Sequence, residues 1–213
     1  MHLEKVVPFG GGLGGGSGNG STALFAMNQL AGREVSEADM LNWSADLGSD
    51  CPVFFSKGAA YVTGRGEFVQ DVPSPLDPTT RLLLAKPPVG LSTPEIFKAL
   101  DLRKLSNVDG RELMDQIAST RAVTQAQCIN DLELPSFSRL PELAALKQRL
   151  LQTRCFDTVF MTGSGSTMVG LGGDPNCVPD FLPQLAANEG MFTAQARFIT
   201  RKEGEWFRPS GLY

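Results

Sequence analysis

The sequence predicts an α+β chain organised in two parts, and three observations carry that expectation. Eight of its 23 glycines crowd between Gly10 and Gly20, and they run directly into Ala23, Leu24, Met27 and Leu30, which recur at helical spacing. Val72-Pro73-Ser74-Pro75-Leu76-Asp77-Pro78 is the most linker-like stretch, which sets the expected domains at 1–78 and 79–213. Beyond that linker, strand-like and helix-like runs mix without the regular alternation of βαβ units.

Taken in order, Met1-His2-Leu3-Glu4-Lys5-Val6-Val7-Pro8 reads as the middle of a strand. It has neither the apolar region of a signal peptide nor an Arg/Ser-rich transit segment, and because a domain rarely starts by running straight into its most unusual loop, upstream sequence is expected. The helix of Ala23–Leu30 stops at Gly32, and Ser36-Glu37-Ala38-Asp39 resembles a capping box opening a second helix to Leu47, with Gly48 as C-cap. Val53-Phe54-Phe55 and Ala59–Val62 read as short strands, the second followed by a Gly64-Arg65-Gly66 turn. After the linker, Leu82–Ala85 is a buried strand ending at Pro87-Pro88, and Thr93-Pro94-Glu95 opens a helix with Thr93 as cap and Pro at the first position. Helices follow over Glu112–Ile117 and along Leu143, Leu146 and Leu150, the latter entered through Pro141. Val159–Met161 and Met168–Leu171 flank a Gly163–Ser166 turn as strands, and a helix over Phe181–Ala187 and a strand over Ala196–Thr200 complete the pattern.

Composition narrows the function classes. With 213 residues, 42% hydrophobic and 20% charged, the chain buries a real core and is not a disordered polar polymer. No apolar run approaches the roughly 18–20 residues of a membrane span, and a net charge of −4 with dispersed Lys and Arg argues against nucleic-acid binding. The single His excludes multi-His metal sites. Cys51, Cys128, Cys155 and Cys177 form no C-x-x-C pair, which argues against a zinc ribbon or redox motif. They are expected as buried thiols in a reducing compartment, not as a disulfide framework.

The glycine cluster is where chemistry enters. Glycines let backbone N–H groups turn inward with no Cβ in the way, and a helix that follows adds the positive end of its dipole. Together these form a cradle suited to phosphate, to which Ser17, Asn19, Ser21 and Thr22 add hydroxyl and amide groups. A flexible Gly/Ser linker is the plain alternative, but Leu13 interrupts the run and the helix follows without a gap. The P-loop pattern fails, because no Gly is followed by Lys and then Ser or Thr. Gly10-Gly11-Gly12-Leu13-Gly14-Gly15 can be read as G-x-G-x-x-G with Glu34 about twenty residues on. However, Arg33-Glu34-Val35-Ser36 is a polar link between helices and not the end of a second strand.

Read together, Pro8-x-Gly10-x-Gly12-Leu13-Gly14-x-x-Ser17 resembles the second motif of the GHMP kinase superfamily, which wraps the ATP phosphates. The doubled triplet Gly10-Gly11-Gly12-Leu13-Gly14-Gly15-Gly16-Ser17 with Asn19 is similar to one branch of it. That branch phosphorylates the 2-hydroxyl of 4-diphosphocytidyl-2-C-methyl-D-erythritol in non-mevalonate isoprenoid biosynthesis. Leu47-Gly48-Ser49-Asp50-Cys51-Pro52-Val53-Phe54-Phe55 and Asn130-Asp131-Leu132-Glu133 resemble further segments of that branch, and Met161–Thr167 resembles the superfamily's third motif. Gly64-Arg65-Gly66-Glu67, Phe198-Ile199-Thr200-Arg201 and Glu205-Trp206 are similar to the plant and algal form.

The sequence also departs from the pattern. The usual Ser-Ser-Asn-Ala-Ala is here Ser17-Gly18-Asn19-Gly20-Ser21, which weakens the helix start by roughly 1 kcal/mol per Gly. The family's first motif, a strand with a catalytic Lys and an Asn, has no counterpart, nor has a D-G-Y-H-type segment, and Lys5 is not that Lys. A chain that truly begins at Met1 is therefore expected to have little or no kinase activity. It would then be a non-catalytic nucleotide-binding fragment.

The resemblance implies a GHMP kinase architecture, a ribosomal S5-like N-terminal ATP-binding domain (here truncated) with a ferredoxin-like C-terminal domain. It implies ATP and Mg²⁺, a small-molecule substrate, no nucleic acid or membrane partner, and a monomer or homodimer in the plastid stroma, or in the cytoplasm for a bacterial source. Asp50 would be the catalytic base; on position alone it reads as well as a turn cap. Pro8, Gly10, Gly11, Gly12, Leu13, Gly14, Gly15, Gly16, Ser17 and Asn19 would bind the nucleotide, with Ser17 near the metal. The Gly163–Ser166 loop would close on the glycine cluster, although alone it reads as a hairpin turn. Asn130 and Asp131 read as loop-ordering residues and Thr93 as a helix cap or pocket residue.

Overall fold

The computed structural model describes residues 2–174, 176, 177 and 179–207. The chain divides into two compact units: residues 1–13, 79–113 and 122–197 form one, and residues 14–78, 114–121 and 198–213 the other. The break after Pro78 falls at the end of the Pro-rich stretch, whereas the first thirteen residues group with the later part of the chain.

In the first unit a four-stranded antiparallel sheet has the order β4-β5-β3-β6, from β3 (Leu82–Lys86), β4 (Thr158–Met161), β5 (Met168–Leu171) and β6 (Phe192–Ala196). Helices α3 (Thr93–Ala99), α5 (Glu133–Arg139) and α6 (Pro141–Gln152) lie between β3 and β4 in the chain, and α7 (Phe181–Glu189) lies between β5 and β6. This β-α-β-β-α-β succession, with the first strand inside the sheet, is the ferredoxin-like arrangement. Register explains the core: Leu83 pairs with Gly170, which pairs with Val159, and Ala85 pairs with Met168, which pairs with Met161. Residues directly opposite share a face, and this face joins Leu143, Leu146 and Leu150 of α6 in one cluster with Ile96 and Leu182. Leu143 is fully buried at 0% exposure, so Leu143→Ala should cost about 3 kcal/mol. That is a fall in Tm of roughly 6–12 °C in a thermal melt of the chain.

The second unit holds α1 (Gly15–Leu30), α2 (Glu37–Leu47) and the antiparallel hairpin of β1 (Ala60–Thr63) and β2 (Phe68–Asp71). α1 begins eight residues before the expected Ala23, so half of the glycine cluster is helix. Phe54 explains this tolerance of glycine: a Cβ on Gly14 or Gly18 would stand 3.1 or 3.0 Å from its ring. Ser36 caps α2 as expected, accepting from Asp39 N at 3.1 Å, and Gly48 ends it. Phe25, Met40 and Phe55 form the core, with Trp206 stacked on Phe25 at 4.7 Å. Arg201 binds the last described segment down: its guanidinium donates to both Glu37 carboxylate oxygens at 3.1 Å and to the Ser56 and Phe55 carbonyls. Helix α4 (Gly110–Thr120) contains the expected Glu112–Ile117 run.

Several expectations are corrected. Val53-Phe54-Phe55 is not a strand but part of a 3₁₀ turn, Pro52–Phe55, because Pro52 sets a helical φ at its first position. The last strand is Phe192–Ala196 and not Ala196–Thr200, since β6 pairs with β3 only as far as Leu82 opposite Ala196. Residues 2–8 form no strand. Thr93 does not cap α3; Ser92 holds that position. Strand β2 and helix α5 were not anticipated, the latter because Pro135 falls in its first turn. Cys155 and Cys177 are a disulfide with Cα atoms 5.2 Å apart, while Cys51 and Cys128 are free. The two partners are 22 residues apart in sequence, and the β4–β5 hairpin between them folds back so that its ends meet. Among the described residues no helix is long and apolar enough to cross a membrane.

Candidate active site

In the unit built on the four-stranded sheet, the site begins with Gly10, Gly11 and Gly12. Gly10 and Gly12 adopt left-handed φ values of 61° and 67°, which only glycine reaches without strain. All three carbonyls turn into the protein: Gly10 O accepts from Leu91 N at 3.3 Å, Gly11 O from Thr167 N at 3.2 Å and Gly12 O from Thr162 Oγ1 at 3.0 Å. In a trans peptide the C=O and the following N–H point in opposite directions. The N–H groups of Gly11, Gly12 and Leu13 therefore turn away from these partners, and none donates to a described residue. Successive outward N–H groups at alternating backbone hands are the geometry of an anion nest.

The Gly163-Ser164-Gly165-Ser166 turn is the wall against which this nest rests. Gly165 N donates to Thr162 O at 3.0 Å and Thr162 N to Thr167 O at 3.0 Å. The segment Asn130-Asp131-Leu132-Glu133 braces it: Asn130 Nδ2 donates to Met161 O at 2.9 Å and Gly163 O at 2.8 Å. Glu133 accepts from Met161 N at 2.9 Å while it pairs with Lys147 at 2.6 Å. Asp131 accepts from Ser106 N at 3.0 Å. Ser136 Oγ donates to Ser164 O at 3.1 Å, Thr93 and Ser164 hydroxyls lie 2.8 Å apart, and Ser166 Oγ donates to Val89 O at 2.7 Å. The third-motif turn and Gly10–Gly12 thus meet, Asn130 ties that turn to the end of β4, and Asp131 holds Ser106 instead.

In the other unit, Gly14 precedes α1 in the left-handed conformation (φ 63°), and Gly15, Gly16, Ser17, Gly18 and Asn19 are the first residues of the helix. The first four N–H groups of a helix have no partner within it, and they carry its positive end. The hydroxyl of Ser17 makes no hydrogen bond with a described residue. One turn on, buried Ser21 donates to Ser17 O at 3.0 Å and to Cys51 O at 2.9 Å, and Cys51 N donates to Gly48 O at 3.0 Å. This pins the 48–51 turn to α1 beside the helix start. Asp50 sits on that turn, exposed, and its carboxylate caps nothing and pairs with nothing among the described residues. The turn-cap reading therefore fails.

Pro8 leads into the nest, half-buried. Lys86 and the Thr167 hydroxyl carried no sequence signal as site residues. Lys86 closes an apolar strand before Pro87-Pro88, and only the tertiary fold sets it behind Gly11.

The chain carries a GHMP kinase domain: residues 1–58 match the GHMP kinases N terminal domain. The solved structure of a 4-(cytidine 5'-diphospho)-2C-methyl-D-erythritol kinase superposes with a TM-score of 0.70 at 27% identity, covering 91% of this chain and 69% of that one. A homoserine kinase structure from Cytophaga hutchinsonii shares the fold at a TM-score of 0.69 and 16% identity over 92% of this chain and 69% of that one. Among curated proteins, the chloroplastic 4-diphosphocytidyl-2-C-methyl-D-erythritol kinase of Arabidopsis thaliana is 46% identical over 98% of this chain and 54% of its own length. The chloroplastic/chromoplastic enzyme of Solanum lycopersicum is 47% identical over 97% of this chain and 51% of its own length. That of Protochlamydia amoebophila is 39% identical over 97% of this chain and 64% of its own length. The chain spans about half the length of the plant relatives it matches.

Proposed function

We propose that this protein transfers the γ-phosphoryl group of ATP to the 2-hydroxyl of 4-diphosphocytidyl-2-C-methyl-D-erythritol. The observation that carries the reading is the nest of Gly11, Gly12 and Leu13 N–H groups, with its carbonyls fixed and its donors free. Phosphoryl transfer asks the protein for positioning and charge stabilisation more than for covalent chemistry. Pro8 and the Gly10–Gly16 backbone hold the phosphates, with Leu13 spacing the two glycine triplets and the α1 N-terminus adding its dipole. Asn19 binds the nucleotide with them. Asp50 takes the proton of the attacking hydroxyl in a direct in-line displacement, with no covalent enzyme intermediate.

Ser17 fits a magnesium ion: its hydroxyl is unengaged and half-buried at the helix start. Among the described residues no group of three or more His, Cys, Asp or Glu forms a metal cluster. The fit is therefore that of an ion held chiefly by nucleotide phosphates and water. When bound, magnesium neutralises charge on the β- and γ-phosphates.

The domains 1–78 and 79–213 are read as the nucleotide-binding and C-terminal domains of the kinase. The protein acts in the plastid stroma, as the names of its plant relatives suggest, as a monomer or homodimer without nucleic-acid or membrane partners. The test is direct: the protein together with any sequence upstream of Met1, given ATP, magnesium and the cytidyl substrate, should form the 2-phosphate and ADP in equal amounts by ³¹P NMR. Phosphorylation of homoserine instead would move the protein to another branch of the family. Nucleotide binding without turnover would make it a binding fragment.

A further inference from the structure

Lys86 is 3% exposed, and its ammonium donates to a single acceptor, Pro87 O at 2.8 Å. Among the described residues no carboxylate forms an ion pair with it. Burial pushes its pKa down, as expected of a cation that has lost its water and gained no counter-charge. Such a group is costly unless something negative comes to it.

The position of Lys86 points to what that is. A Cβ on Gly11 would stand 3.0 and 3.1 Å from Lys86 Cδ and Cε, and 2.9 Å from Thr167 Oγ1. The end of the lysine stem therefore runs directly behind the middle glycine of the nest, in the space that the missing side chain leaves. Thr167 Oγ1, itself buried, has no hydrogen-bond partner among the described residues. Two buried polar groups with unused bonding capacity converge on the back of one loop whose front presents three free N–H donors.

We infer that Lys86 is the fixed positive charge behind the phosphate nest, a positioning residue that selects phosphorylated ligands and holds the nucleoside triphosphate. In a poorly hydrated site a charge acts over several ångströms with little screening, so the ammonium does not need to pass through the loop to be felt at its front. A side chain at Gly11 would press on the lysine stem and on Thr167 Oγ1. This inference rests on the nucleotide-phosphate reading above.

The test is calorimetric titration of the full chain and of Lys86→Met and Lys86→Arg with ATP, ADP and adenosine. Lys86→Met, which keeps the stem and removes the charge, should weaken ATP binding about 10- to 100-fold, as expected for loss of a charge-assisted contact. It should leave adenosine binding within about twofold, and Lys86→Arg should restore most of the ATP affinity. Equal ATP binding by wild type and Lys86→Met overturns the role of Lys86 and leaves the phosphate nest standing. Parallel loss of ATP and adenosine binding overturns it too, since that is the mark of a structural residue. A wild-type chain that binds no ATP overturns the nest and this inference together. If Lys86→Met does not fold, the wild type decides by NMR of ¹³C-labelled lysine, with the Lys86 signal identified from Lys86→Arg. That signal should shift with ATP and not with adenosine, and an unmoved signal overturns the inference.

Discussion

Asp50→Asn should lower kcat about 100- to 1,000-fold in the full chain while ATP affinity changes by less than about threefold, which is the signature of a lost general base. The substitution keeps the size of the side chain and removes only its proton affinity. Nothing structural depends on the carboxylate: it is exposed, caps no helix and pairs with no described residue. The turn beneath it is held instead by backbone, through Cys51 O accepting from Ser21 and Cys51 N donating to Gly48. The thermal midpoint should therefore move by no more than about 2 °C, in keeping with a surface substitution. Steady-state kinetics with a nucleotide titration on the same preparation separates the outcomes. Turnover within tenfold of wild type would remove Asp50 from the chemistry.

The second large effect is expected at Gly12. Its φ of 67° lies in the left-handed region, which costs a residue with a side chain about 1–2 kcal/mol. An added Cβ would also stand 2.3 Å from Thr162 O and 3.1 Å from Gly165 N. Those are backbone atoms of a turn that is itself tied to Gly11 O and Gly12 O, so they cannot step aside without opening the nest. Gly12→Ala should cost about 3 kcal/mol, or roughly 6–12 °C in Tm, and should abolish measurable ATP binding. Gly16 is the internal control. It lies in the first turn of α1, has no positive φ, and a Cβ there would meet nothing within 4 Å. Gly16→Ala should therefore leave stability unchanged or raise it by up to about 1 kcal/mol, the difference in helix propensity. Equal melting curves for the two variants would refute the account of the loop.

The contrast between Gly12 and Gly16 marks how far the sequence could be read. Both belong to the same run, and composition treats them alike, yet one is a turn residue in close contact and the other a helical residue in open space. The helical period of Leu143, Leu146 and Leu150 was legible because burial of one helix face repeats every three to four residues, whatever the partner. The Ser36 cap and Gly48 stop were legible because capping is local. Strand β6 was displaced by four residues, because strand limits are set by the neighbour, here β3. The 3₁₀ turn at Pro52–Phe55 was misread as a strand because its apolar run carries no period.

What the sequence alone determined is the inventory. It contains a glycine cluster at a helix start, a carboxylate beyond a helix stop, and an Asn-Asp-Leu-Glu segment and a Gly-Ser-Gly-Ser turn far downstream. Each of these is a local property of backbone freedom or side-chain chemistry. Only the tertiary structure decided which of them meet. It brought Thr162 and Thr167 to the carbonyls of Gly12 and Gly11, and so turned three N–H groups outward. It joined Cys155 to Cys177 across a hairpin and slid Lys86 behind Gly11. The reason is physical: a peptide's donors face wherever its carbonyl's partner is not, and that partner lies about 150 residues away in sequence, beyond the reach of any local rule.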